Sequence, residues 1–153
     1  MVKLLCSTSV LDEINRRIVA AFPECKNVYI DLAPQEFLRP AFLIELIKTD
    51  CKDVNLNTVK HTDYFLITAF DIVDERYETQ TLRLMGTQQR LIGIFADGFL
   101  RLEGRAPKVQ ATSGGRDFDR TYVDVQISYS EQRTADKKPL PIMENLKTKI
   151  REE

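Results

Sequence analysis

The stretch AFLIELI, Ala41 to Ile47, carries a single charge, Glu45, and its apolar residues do not alternate with polar ones. A strand with one face in water alternates, because successive Cβ atoms point to opposite sides of the sheet. A strand that does not alternate has both faces covered and belongs inside its sheet. Immediately before it stands PQEFLRP, Pro34 to Pro40, a charged segment with a proline at each end. The two rings fix φ at both ends and make the connection stiff. A fold built on this chain must lead a rigid, charged crossing straight into a buried strand.

The flanking segments supply the rest of the architecture. Val10, Ile14, Ile18 and Ala21 recur at helical spacing, which predicts an amphipathic helix over Val10–Ala21. Ser9 with Asp12 reads as a capping box, and Arg16 and Arg17 stand four residues after Asp12 and Glu13. Pro23 ends the helix. NVYIDL alternates Val28, Ile30 and Leu32 against Tyr29 and Asp31, the pattern of a half-buried strand. DCKDVNLN, Asp50 to Asn57, is polar and turn-rich. From about Thr58 to Ile72 a second long strand is polar at first and apolar through YFLITAF, so its first half is expected to project past the core.

Glu75 to Leu102 reads as a helix with Leu84, Leu91, Phe95 and Leu102 on one face and Gly104 as its stop. Gly86, Gly93 and Gly98 would each cost that helix ~1 kcal/mol against alanine. Val109 and Ala111, the run SGGRDFD, and the alternating Val123, Val125, Ile127 and Tyr129 predict a hairpin about a glycine-containing turn. In the last segment, KKPLPIMENLKTKIREE, Ile142, Leu146 and Ile150 fit one side of a short helix, and an added strand fits nearly as well. The expected fold is α+β: a mostly antiparallel sheet of about four or five strands with two helices packed on it. One domain over 1–130 is followed by a C-terminal arm over 131–153.

The 22 basic and 23 acidic residues leave a net charge of −1, so no global field exists to hold DNA or an anionic membrane. Cys6, Cys25 and Cys51 are odd in number and lack C-x-x-C spacing, which points to free thiols rather than a disulfide framework or a zinc site. No segment nears the ~18 apolar residues of a membrane span. The N-terminal apolar stretch is too short for a secretory signal, so the expected compartment is the cytoplasm.

Residues that would carry catalysis are hard to find. His61 is the only histidine, on the polar half of a predicted strand, and reads as an exposed strand residue. None of H-E-x-x-H, G-x-S-x-G, G-x-x-x-x-G-K-[ST] or G-x-G-x-x-G occurs. Asp71 with Asp74 and Glu75, and Asp117 with Asp119, are sequence neighbours that read as solvated acids rather than a converging general acid–base pair. Ser113-Gly114-Gly115 lacks the lysine and helix of a phosphate loop and reads as the hairpin turn. Tyr64, Phe65, Phe70, Tyr122 and Tyr129 lack the interleaved basic residues of a base-stacking platform and read mostly as core. No catalytic, metal-binding or cofactor-binding residue is assigned.

The segment order, with Pro34-Gln35, Phe37 and Arg39-Pro40-Ala41-Phe42 leading into Glu45-Leu46, resembles the tail terminator proteins of tailed phages. The likeness is to the branch found in prophages and phage-tail-like particles of Gram-positive bacteria. It covers roughly Val10 to Leu146, with weaker support from TYVDVQISY and PIMENL. It implies a structural virion protein without enzymatic activity or cofactor, assembled in the bacterial cytoplasm. Such proteins form a ring, commonly of six copies, that caps the tail tube, ends its polymerisation and meets the neck connector or sheath end. The implied partners are further copies of the chain, tail-tube protein and the neck or sheath protein. If the particle is a phage, DNA would be passing cargo only, and no membrane is implied.

A closing ring needs complementary opposite edges. The stiff Pro34–Pro40 crossing offers Gln35, Glu36, Phe37 and Arg39 as contacts, and the hairpin turn offers Arg116, Asp117, Asp119 and Arg120. Lys60 lies on the projecting half-strand, and Ile142 and Leu146 lie on the arm. Within the structural class the alternative is another neck or tail-completion protein. Outside it, the alternative is a small cytosolic module that takes a peptide or ligand along a sheet edge.

Overall fold

Three strands of thirteen residues each dominate the sheet. The computed structural model describes residues 7–76, 78–102 and 104–132. Their order is α1 (Ser7–Ala21), β1 (Asn27–Ile30), β2 (Ala41–Asp53), β3 (Thr58–Phe70), α2 (Thr81–Gly93), β4 (Lys108–Arg116) and β5 (Arg120–Gln132). The strands lie side by side as β1-β2-β3-β5-β4, with β1 parallel to β2 and every other pair antiparallel. This is the α+β fold expected, with five strands and two helices. β5 runs on to Gln132, so Glu131 and Gln132 belong to the sheet. The remainder of the proposed arm, with Ile142 and Leu146, lies outside the described residues.

One face of the sheet carries the core. Phe42 and Ile44 of β2 stand opposite Ala69 and Ile67 of β3, which stand opposite Thr121 and Val123 of β5. Phe65, Val125, Ile127 and Val109 continue this face, and Val10, Ile14 and Ile18 of α1 with Leu91 of α2 close over it. Arg17 of α1 ties the helices together by donating to the Ile94 and Phe99 carbonyls and to Asp97. Just past the C-terminus of α1, about a turn further on, Arg90 lies over the Phe22 ring at 4.2 Å and bonds Glu24 and the Ala21 carbonyl.

Length explains where the core stops. A thirteen-residue strand rises about 43 Å, whereas a thirteen-residue helix is only about 20 Å long. The helix layer therefore covers only about half of the length of the long strands. Beyond it the same face turns polar, through Thr49, Cys51 and Asp53 on β2, His61 and Asp63 on β3, and Tyr129 and Glu131 on β5. The first half of β3 thus extends past the core as its composition predicts.

Several boundaries differ from the sequence reading. α1 begins at Ser7, so Ser9 lies inside the helix and is not its cap. Glu13, not Asp12, takes Arg16, at 2.7 Å, and it also takes Arg17. One carboxylate at i−3 and i−4 serves both arginines, since both spacings face each other on a helix. β1 is a four-residue edge strand, and Asp31 at φ 66° turns the chain away after it. Ile30 is consequently exposed, as is Leu32, and only Val28 of the alternating set packs on the core.

β2 does not end at Ile47 but runs through a bulge there to Asp53, because β3 supplies its backbone partners as far as Asp53↔Val59. Only Val54–Asn57 form the turn. α2 spans Thr81–Gly93 rather than Glu75–Leu102. Gly98 and Gly104, both at positive φ, fold the chain back on itself, so Phe95 and Leu102 reach the core from turns and not from a helix face. Ser113–Gly115 lie within β4 beside a register shift, and the hairpin turn is Asp117–Asp119.

AFLIELI is flanked by strands on both sides, but its burial ends at Ile44, and Leu46 and Ile47 are exposed. Where it is buried, the face away from the helices is covered by the proline-bracketed crossing. Phe37 packs on Phe70 at 4.7 Å and meets the Tyr29 edge at 5.9 Å.

Candidate functional site

The two ends of the long sheet are chemically different. At the end where β3 stops and β5 begins, two buried carboxylates gather four elements. Asp71, 2 % exposed, receives Arg83 Nε at 2.6 Å and the Thr87 hydroxyl at 2.7 Å from α2, and the Ile72 amide at 2.9 Å. Its own amide donates to the Asp119 carbonyl, and its carbonyl accepts from Arg39. The Asp119 carboxylate takes Arg39 Nη2 at 2.8 Å and Arg120 Nε at 2.8 Å. Phe70 lies among these cations, with Arg120 at 4.6 Å and Arg39 at 5.7 Å from its ring centre. The crossing, β3, α2 and the β4–β5 turn are thereby locked together.

Burial alone would push the Asp119 carboxyl up, but its hydrogen bonds to Arg120 and Arg39 outweigh that and hold it below the usual carboxylate range. Asp119 in turn holds the Arg120 guanidinium above its ordinary value. On the rim of this end, Gln35, Glu36, Leu38, Arg116, Asp117 and Phe118 are exposed. Asp117 accepts the Tyr122 hydroxyl at 2.6 Å, and burial together with that carboxylate pushes the phenol up.

The opposite end is an arm of three strands. Glu131, nearly buried, receives Arg105 at 3.0 Å and lies 3.3 Å from His61 Nε2, while the His61 ring stacks on Tyr129 at 5.3 Å. His61 is therefore half-buried and engaged, not an exposed strand residue. Thr49 donates to Asp63 at 2.9 Å, and the second Asp63 oxygen has no hydrogen-bond partner among the described residues. At the tip, Val54 is 57 % and Leu56 is 91 % exposed on a turn held by amides of Val54 and Asn55 on the Thr58 carbonyl.

The structure splits the residues singled out from the sequence. Arg39, Asp119 and Arg120 come together, with Phe37 stacked beside them, and all four are engaged within the chain. Gln35, Glu36, Arg116 and Asp117 are presented around that cluster. Lys60 is ten positions from Phe70 along β3, about 33 Å away at the usual rise, and belongs to the arm. Asp71 and Asp119 are not solvated acids: the strand ends where they sit bury them and bring arginines to them. Arg83, Thr87, Arg105 and Glu131 gave no sequence signal, because their partners are distant in the chain.

Among the described residues no group of three His, Cys, Asp or Glu side chains is placed to hold a metal ion, and no helix is long and apolar enough to cross a membrane. Cys25 and Cys51 are free thiols, and burial pushes the Cys25 thiol up. No protein-family model matches this chain, and no curated protein matches it.

Proposed function

We propose that the chain is a non-enzymatic structural subunit that assembles head to tail into a ring, commonly of six copies. The ring caps a phage tail tube, ends its polymerisation and meets the neck connector or the sheath end. The observation that carries this reading is the three-strand arm that extends past the helix layer to an exposed apolar tip at Val54 and Leu56. Such an arm has little to contribute to the core of a single subunit. The far end is its counterpart, a rim of Gln35, Glu36, Arg116, Asp117 and Phe118 on a base stiffened by Asp71 and Asp119. Heterologous rings need two unlike surfaces of this kind on each subunit, and a rigid base lowers the entropy lost on contact.

The test is to let tail-tube protein polymerise with and without this protein and to view the products by negative-stain electron microscopy. Short tubes with a ring on one end are the expected outcome. Tubes of unchanged length with bare ends would overturn the reading and leave the strand-edge binding module as the alternative.

A further inference from the structure

We propose that the face of the arm turned away from the helices is a phosphate-backbone site, which takes nucleic acid across Lys52, Lys60 and Lys108 without reading its sequence. Lys52 of β2 and Lys60 of β3 stand directly opposite each other in register and are exposed on the same face. Like charges in that position repel, so an unliganded sheet gains nothing from them, whereas an anion between them relieves the repulsion. Lys108 enters from β4, opposite Ser128. With Asp50, Thr62, Tyr64 and Gln126 the three lysines line a cleft of about 250 Å³. A second cleft, of about 410 Å³, adjoins it and shares Lys60, Lys108 and Ser128.

The local charge is not cancelled. Asp50 lies 4.0 Å from Lys48, and Arg105 is occupied by Glu131. Asp124 stands on the same face, nearer the opposite end of β5. None of Lys52, Lys60 and Lys108 forms an ion pair among the described residues. The chain's net charge of −1 therefore hides a cationic strip.

The chemistry of the strip favours phosphate over a protein carboxylate. Apart from Asp50, which lies against Lys48, the polar groups lining the cleft with the lysines are hydroxyls and carboxamides, from Thr62, Tyr64, Ser128, Gln110 and Gln126, which are the usual neutral partners of phosphate oxygens. Ammonium groups act as point charges that accept a phosphate in any orientation. From β2 to β4 the strip crosses three strand spacings, about 14 Å, against one phosphate per ~3.4 Å along each strand of a duplex. This inference goes beyond the ring and does not depend on it, because one subunit carries the whole strip.

The test is fluorescence anisotropy of a labelled duplex titrated with the full chain over a salt series. Three neutralised phosphates give a slope of about −2.7 in log K against log salt, or about 40-fold weaker binding at 200 mM than at 50 mM. Lys60→Gln and Lys108→Gln, exposed and on different strands, should each weaken binding and bring the slope to about −1.8. Lys26→Gln, just before β1 at the other edge of the sheet, should change neither, and two unrelated duplex sequences should bind alike. No binding at low salt, or binding indifferent to both arm variants, overturns the proposal. Polyglutamate bound more tightly than the duplex also overturns it and assigns the strip to an acidic protein segment.

Discussion

Replacing Asp71 by alanine should cost about 3 kcal/mol of stability, although the residue is one of several acids in its stretch of sequence. Its carboxylate accepts three hydrogen bonds, from Ile72, Arg83 and Thr87, and is almost wholly buried. Bonds to a charged acceptor contribute roughly 1.5–3 kcal/mol each when buried. The Arg83 side chain is half exposed and regains water once released, so its share falls to below about 1 kcal/mol. The Ile72 amide and the Thr87 hydroxyl recover less, which brings the loss to about 3 kcal/mol. For a chain of this size that lowers the melting temperature by about 6–12 °C. Asp71→Asn keeps the shape and one accepting oxygen and should lose about half as much. Asp74→Ala, whose exposed carboxylate holds only the Arg76 and Glu78 amides, should cost less than about 1 kcal/mol. The chain has no tryptophan, so far-UV circular dichroism is the probe for thermal and urea unfolding. An Asp71→Ala protein that melts with the unaltered one would refute the idea that this network fixes the base of the sheet.

Asp119 should make folding sensitive to acid. Its folded-state carboxyl lies below its ordinary value, because Arg120 and Arg39 together outweigh the effect of burial. The stabilisation is therefore complete above the unfolded value of about 3.9 and is lost as pH falls through the lower folded value. Asp119→Asn should flatten urea midpoints measured across that acidic window. Gly115→Ala should destabilise by about 1–2 kcal/mol, since φ is +94° in the β4 bulge and an L side chain is strained there. Leu56→Asp, at the exposed tip of the arm, should leave the unfolding free energy within about 0.5 kcal/mol of the parent while weakening any self-association seen by sedimentation velocity.

The long elements were legible because their periodicity is a local property. Val10, Ile14 and Ile18 mark α1, and the alternation of Val123, Val125 and Ile127 marks β5, with no reference to distant residues. The polar-to-apolar change along β3 disclosed the arm for the same reason. What failed to show was decided by pairing. β2 continues through Asp50–Asp53 only because β3 offers it a partner, and polar residues there mimic a turn. Phe95 and Leu102 keep helical spacing with Leu91, yet α2 ends at Gly93 and Leu102 lies between the positive-φ glycines Gly98 and Gly104, so their burial was predicted correctly and their conformation was not. Arg39 could be picked out from its stiff segment, but the carboxylate it meets is eighty residues away, and nothing near Asp119 announces that contact. The lysine strip is likewise assembled from three strands and is invisible in a chain of net charge −1.

Self-assembly is the property on which the proposed ring stands. Light scattering of the purified protein over a concentration series, alone and with tail-tube protein, measures it directly. A ring predicts a species near six times the 17.6 kDa subunit, about 106 kDa, formed alone or on addition of tube protein and lost in Leu56→Asp. A strict monomer at every concentration, indifferent to tube protein, would contradict it.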